Sequence, residues 1–155
     1  METPADVIPF PTPPSDGDRI WMRVAWLASG AMDRSSRATG AVALRTSPGD
    51  LSRVIAVAGS DSSQSAIRSL VVQAAKHGIC LRRTTCFLFP GLGCREDFSL
   101  LLECGVSGVV IPDAPVPKRL KDDDHACRWA ASSQGVQIDT FNLDEVFFPL
   151  IKPHA

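Results

Sequence analysis

The stretch Ser65–Cys94, SAIRSLVVQAAKHGICLRRTTCFLFPGLGC, decides the fold. Ala66, Ile67, Leu70, Val71, Ala74 and Ala75 recur at three- and four-residue intervals, the spacing of one helix face. Gly78 then supplies a residue tolerant of left-handed backbone, which closes a helix. In TTCFLF (Thr84–Phe89) the pattern becomes a short, almost unbroken apolar run, the mark of a buried strand. Pro90–Gly93 reads as a turn, and Arg95–Cys104 as a further helix capped by Gly105.

Toward the N-terminus, GAVALR (Gly40–Arg45) and RVIAVAG (Arg53–Gly59) are valine-rich runs separated by TSPGDLS. Pro48-Gly49-Asp50 is turn chemistry, so the two runs are expected to form an antiparallel hairpin. Before them, Trp21, Val24, Ala25 and Ala28 mark an amphipathic first helix from Asp18 to about Ala31, followed by a polar loop. Toward the C-terminus, SGVVIP (Ser107–Pro112) is a fourth strand, followed by the loop DAPVPKRLKDDD. A helix from about Asp124 to Gln134 is stopped by Gly135, VQIDT (Val136–Thr140) is a fifth strand, and Leu143–Ile151 a last short helix.

The order α-β-β-α-β-α-β-α-β-α predicts a three-layer α/β/α domain around a five-stranded mixed sheet. Strand–helix–strand crossovers call for parallel neighbours in the second half. Residues 1–17, rich in proline, read as an extended tail, and 18–155 as a single domain.

Composition narrows the function classes. Hydrophobic residues make up 45% and charged residues 21%, which suits a globular chain. A formal net charge of -1 gives no basic field for nucleic acid or an anionic membrane. No apolar run is long enough to span a bilayer and no secretory pattern opens the chain, so the expected location is cytoplasmic. The 5 cysteines include no C-x-x-C pair and several sit in apolar segments, so buried, reduced thiols are expected.

Several short signals invite chemistry, and each has a plainer role. Gly91-Leu92-Gly93, between a strand and a helix, could cradle an anion, but a tight turn explains it better. Asp61-Ser62-Ser63 suits the cap of the second helix. Asp122-Asp123-Asp124-His125 suits an acidic stretch capping the fourth helix, and His125 has no second histidine at ligand spacing. His77 precedes the glycine that ends the second helix, where an imidazolium fits the dipole. Ser62 and Ser63 lie in no G-x-S-x-G elbow. Trp21, Trp26 and Trp129 read as core or interface anchors, and Arg82-Arg83 and Lys118-Arg119-Lys121 as solvated loop charges.

RIWMRVAWLASGAMDRSSRATGAVAL, the opening stretch quoted above, and LLLECGVSGVVIPDA together resemble the cytidine/deoxycytidylate deaminase superfamily over roughly residues 18–140. That resemblance implies a zinc site at two helix starts: a His or Cys followed two residues later by a catalytic Glu, and a Pro-Cys-x-x-Cys turn supplying two thiolates. Setting Ala66-Ile67 on the end of the first motif puts Asp61 at the His position and Ser63 at the Glu position. Setting Pro90 on the proline of the second puts Gly91 at the first Cys and Cys94 at the second. The loop that usually carries a sugar-contacting Asn is missing.

The expectation is therefore a deaminase-like pseudoenzyme without zinc or another cofactor, its vestigial site lined by Asp61, Ser62, Ser63, Pro90, Gly91, Gly93 and Cys94. It would act by binding a nucleotide or a protein. The resemblance also implies a homo-oligomer, or a hetero-oligomer with a related deaminase, and LDEVFFPLI (143–151) offers a further apolar contact surface. The alternative is an active cytidine- or dCMP-type deaminase whose unusual zinc site uses Asp61, Cys94 and a further ligand.

Overall fold

The computed structural model describes residues 16–29, 40–47, 51–60 and 65–142. Residues 1–15 of the tail expected over 1–17, the expected helix at 143–151 and the apolar surface it would carry lie outside the described residues. So do Asp61, Ser62 and Ser63.

The elements are α1 (Asp16–Ala28), β1 (Gly40–Ser47), β2 (Leu51–Gly59), α2 (Ala66–Lys76), β3 (Thr85–Phe89), α3 (Arg95–Glu103), β4 (Gly108–Asp113), a 3-10 turn at Lys118–Leu120, α4 (Lys121–Ser133) and β5 (Gln137–Asn142). The strands form one five-stranded sheet in the order β2-β1-β3-β4-β5. β1 runs antiparallel to both β2 and β3, while β3, β4 and β5 are mutually parallel. The mixed sheet and the opening hairpin are those expected, with strands two residues longer on each side of the turn.

Alternating side chains split the core into two layers. Ala41, Ala43, Cys86, Leu88, Val109 and Ile111 face a layer built with Ile67 and Leu70 of α2, Phe98 and Leu101 of α3, and Cys127 and Ala131 of α4. Val42, Leu44, Phe87, Val110 and Phe141 face the other way, against Met22 and Ala25 of α1. Strands buried on both faces read as continuous apolar runs, which is why TTCFLF shows no alternation.

Close approach of α1 to the sheet depends on two missing side chains. A Cβ on Gly40 would lie 1.8 Å from the Ala25 carbonyl oxygen, and one on Gly59 would lie 2.0 Å from that of Ala28. Gly40 and Gly59 are directly paired across the hairpin, so together they form a bare strip on which the last turn of α1 rests. The helix ends there, at Ala28 and not near Ala31, and it begins two residues earlier than expected.

Two further expectations need correction. α4 starts at Lys121 because the turn after Pro117 feeds directly into it. The three aspartates therefore occupy its first turn and do not precede it as a cap. Trp129, expected as a core or interface anchor, is 70% exposed on α4, which removes the core role alone, whereas Trp21 packs half-buried beside the α1 layer.

All five thiols are free. Cys86 and Cys127 are buried, and burial foremost pushes both up to about 12. Cys80 is exposed and Cys94 and Cys104 are half-buried, so the expectation of buried thiols holds for two of the five.

Candidate functional site

Strand directions bring the starts of α2 and α3 to one end of the sheet. Gly40, the first residue of β1, pairs with Gly59, the last of β2, and with Phe89, the last of β3. The chain leaves β2 and β3 from this one row, and α2 and α3 follow. Two helix N-termini, each carrying the positive end of a dipole, therefore lie together.

Each start is built differently. Ser65, not the Asp61-Ser62-Ser63 triplet, is the N-cap of α2: its backbone is extended and its hydroxyl accepts from the Arg68 amide at 3.2 Å. α3 follows the Pro90–Gly93 turn, where the Phe89–Pro90 peptide is cis and Gly93 has φ +77. Leu92 in that turn is buried in the core, while a Cβ on Gly91 would touch nothing within 4 Å. Gly91-Leu92-Gly93 is thus a turn that drives a leucine inward. Cys94 is the N-cap of α3, and Asp97 lies three residues beyond it in the first turn.

Asp97 is the centre of the cluster. It is only 7% exposed, and its carboxylate accepts from Arg68 Nε at 2.5 Å, joining α3 to α2. Burial pushes the Asp97 carboxyl up, but hydrogen bonding from Arg68, Ser65 and Cys94, with the Arg68 charge, outweighs it and holds the group below its ordinary value. For Cys94 the balance runs the other way. Burial first, then the neighbouring Asp97 carboxylate, pushes its thiol up despite the Asp97 amide pulling it down. At neutral pH the cluster holds a carboxylate, a guanidinium and a protonated thiol.

A second pair continues the line: Arg95 Nε donates to Asp123 in the first turn of α4 at 2.7 Å. Asp124 is taken by Arg128 at 2.8 Å on the same helix. The acidic run at 122–124 is therefore partly consumed by arginines.

Of the described residues singled out in the sequence, Pro90, Gly91 and Gly93 form the turn and Cys94 alone reaches the cluster. Ser65, Arg68 and Asp97 were missed. Their signal was faint: a hydroxyl and a basic residue in one first turn, a thiol and an acid in another.

A catalytic zinc ion takes three protein ligands and keeps a fourth position open. The described residues offer Cys94 and Asp97 here, and a guanidinium already stands on Asp97. Among the described residues that donor set falls short of a zinc site, and Asp61, Ser62 and Ser63 lie outside them. Among the described residues no group of three or more His, Cys, Asp or Glu side chains could hold one anywhere. Nor is any described helix long and apolar enough to cross a membrane.

The sheet order, the parallel second half and the paired helix starts define a deaminase-like α/β fold. Solved structures match it. One is the crystal structure of a diaminohydroxyphosphoribosylaminopyrimidine deaminase/5-amino-6-(5-phosphoribosylamino)uracil reductase from Thermotoga maritima, with a TM-score of 0.62 and 20% identity. The match covers 85% of this chain and 38% of that one, so this chain spans well under half the length of its structural relative. No protein-family model matches the chain, and no curated protein matches its sequence. The likeness is one of fold, and fold does not carry activity.

Proposed function

We propose that this chain is a deaminase-like protein without deaminase chemistry, acting by binding, with a protein as its partner. The observation that carries the reading is the Arg68–Asp97 pair, which spans the place where both helix starts meet. A deaminase needs a polarised water and a proton carrier at such a place. In their stead stand a carboxylate held ionised by its neighbours and a thiol held neutral.

A protein partner is favoured over a nucleotide because apolar surface is available where the helix starts are closed. Trp129 is 70% exposed on α4, and Val72 is 39% exposed on α2. Exposed tryptophan is the residue type most concentrated at binding hot spots. The resemblance makes a second copy, or a related deaminase docked along α2 and α3, the first partner to examine. Five free thiols suit a reducing, cytoplasmic setting.

The test is metal analysis of protein purified without chelator, combined with ammonia release from cytidine and dCMP. Stoichiometric zinc together with turnover would establish the alternative, an active deaminase, and end this reading. Sedimentation reports self-association. A thermal-shift panel of nucleotides covers the other ligand class, since a ligand that binds only the folded state raises its melting temperature.

A further inference from the structure

We infer that the Arg68 guanidinium does for this chain the structural work of a bound cation, tying the start of α2 to the start of α3 through Asp97. The inference rests on the non-catalytic reading above, in which no metal joins these two helices.

The sheet imposes the problem. The shared row of Gly59, Gly40 and Phe89 sends two helices off side by side, so two positive dipole ends lie close together. An anion between them relieves that repulsion, and α3 supplies it as Asp97. A carboxylate only 7% exposed then needs donors and a countercharge of its own. Ser65 and Cys94, the two N-caps, supply hydrogen bonds, and Arg68 supplies the charge. Anion and cation come from different helices, so the pair couples their positions, as an ion bridging ligands on both would.

The contacting atom strengthens the argument. Arg68 reaches Asp97 through Nε, part-way along the side chain, while the side chain as a whole remains 52% exposed. The charge that matters therefore lies about as far from the α2 backbone as the outer nitrogen of an imidazole. A tetrahedral zinc ion holds nitrogen and oxygen ligands roughly 3.3 Å apart, given metal–ligand distances near 2.0–2.2 Å. The present N···O separation is 2.5 Å, so less than about 1 Å of retraction would admit an ion in place of the direct bond. With Cys94 beside Asp97, R68H would then complete a set of nitrogen, oxygen and sulfur donors.

The 155-residue chain provides the test, with melting temperature as readout. Wild-type protein is expected to melt identically with added EDTA and with equimolar zinc. R68M should melt roughly 3–6 °C lower, because a buried carboxylate loses its counterion. R68H should melt low without metal and recover by several degrees with equimolar zinc, and the recovery should vanish in R68H/D97N. R68C, which supplies a thiolate, serves as the second variant if R68H does not fold.

An R68M protein melting within about 1 °C of wild type would overturn the inference. So would a zinc response that survives D97N, or no zinc response in either R68H or R68C. These results leave the non-catalytic reading standing. A wild-type chain that holds zinc and loses stability to EDTA would sink that reading as well.

Discussion

The two faces of the sheet are secured at the same end by opposite means. On one face the last turn of α1 rests on the bare backbone of Gly40 and Gly59, with no side chain between. On the other, the starts of α2 and α3 are joined by Arg68, Asp97, Ser65 and Cys94. The first contact is fixed by volume and the second by charge. A volume contact either fits or fails, since packed interiors have almost no slack. A charge contact responds by degrees to pH, salt and substitution. The two contacts lie on opposite faces of the sheet, so a perturbation can be aimed at one without touching the other.

The largest effect should come from Gly40→Ala. Its new Cβ would stand 1.8 Å from a helix carbonyl and 2.8 Å from the Ser29 amide, and backbone cannot yield as a flexible side chain can. Overpacking usually costs about 1–3 kcal/mol, and here more than about 3 kcal/mol is expected. Urea unfolding followed by circular dichroism measures it. Gly91→Ala, whose Cβ would meet nothing, is the control and should stay within about 0.5 kcal/mol of wild type. Equal losses in the two variants would remove the volume argument.

Next comes the charge contact itself. Asp97→Ala leaves Ser65, Cys94 and Arg68 without their common acceptor and should cost about 1–3 kcal/mol. The pH dependence has a definite sign. Asp97 titrates lower in the folded protein than its ordinary value of 3.8. Its contribution is therefore complete above that value and is lost as pH falls through the folded-state value, where the unfolded chain binds the extra proton. The stability gap between wild type and Asp97→Ala should narrow as pH falls below 3.8. Curves that stay parallel there would mean that Asp97 is not ionised in the folded chain.

How much of this was legible in the sequence follows the same division. The stripe of α2 was largely readable: Ala66, Ile67, Leu70 and Ala74 are buried as expected, whereas Val71 is half-buried, Ala75 is exposed and Ser69 is buried as well. Gly78, Gly105 and Gly135, expected to end helices, all have positive φ. These are local facts, encoded within a few residues. The bare strip under α1 was not readable, because Gly40 and Gly59 look like ordinary strand ends until α1 arrives from a distant part of the chain. Likewise Arg68 and Asp97 are separated by 29 residues, and nothing in either turn names the other. The start of α4 was misplaced for a local reason. Asp122, Asp123 and Asp124 are favoured both as caps and within a first turn, and composition does not distinguish the two.

The surface pairs mark the lower end of the scale. Arg128→Ala removes an i,i+4 contact to Asp124 and should change stability by about 0.5 kcal/mol or less. A larger loss would mean that the α4 pair belongs to the connected line of charges running through Asp123 and Arg95.

Cys94 offers the finest probe, because it reports on the cluster without unfolding it. Its thiol is held up by burial and then by the Asp97 carboxylate, which favours the neutral form. Asp97→Asn removes that carboxylate's charge while leaving the helix start in place, so more thiolate should form at pH 8. Only the thiolate attacks iodoacetamide, so the alkylation rate should rise several-fold. Exposed Cys80 provides the internal reference and buried Cys86 should stay protected in both proteins. If Cys94 and Cys86 accelerate together, the substitution has loosened the whole core, and the volume and charge contacts are coupled. If Cys94 alone accelerates, the charged end moves independently of the packed one, as their different physics requires.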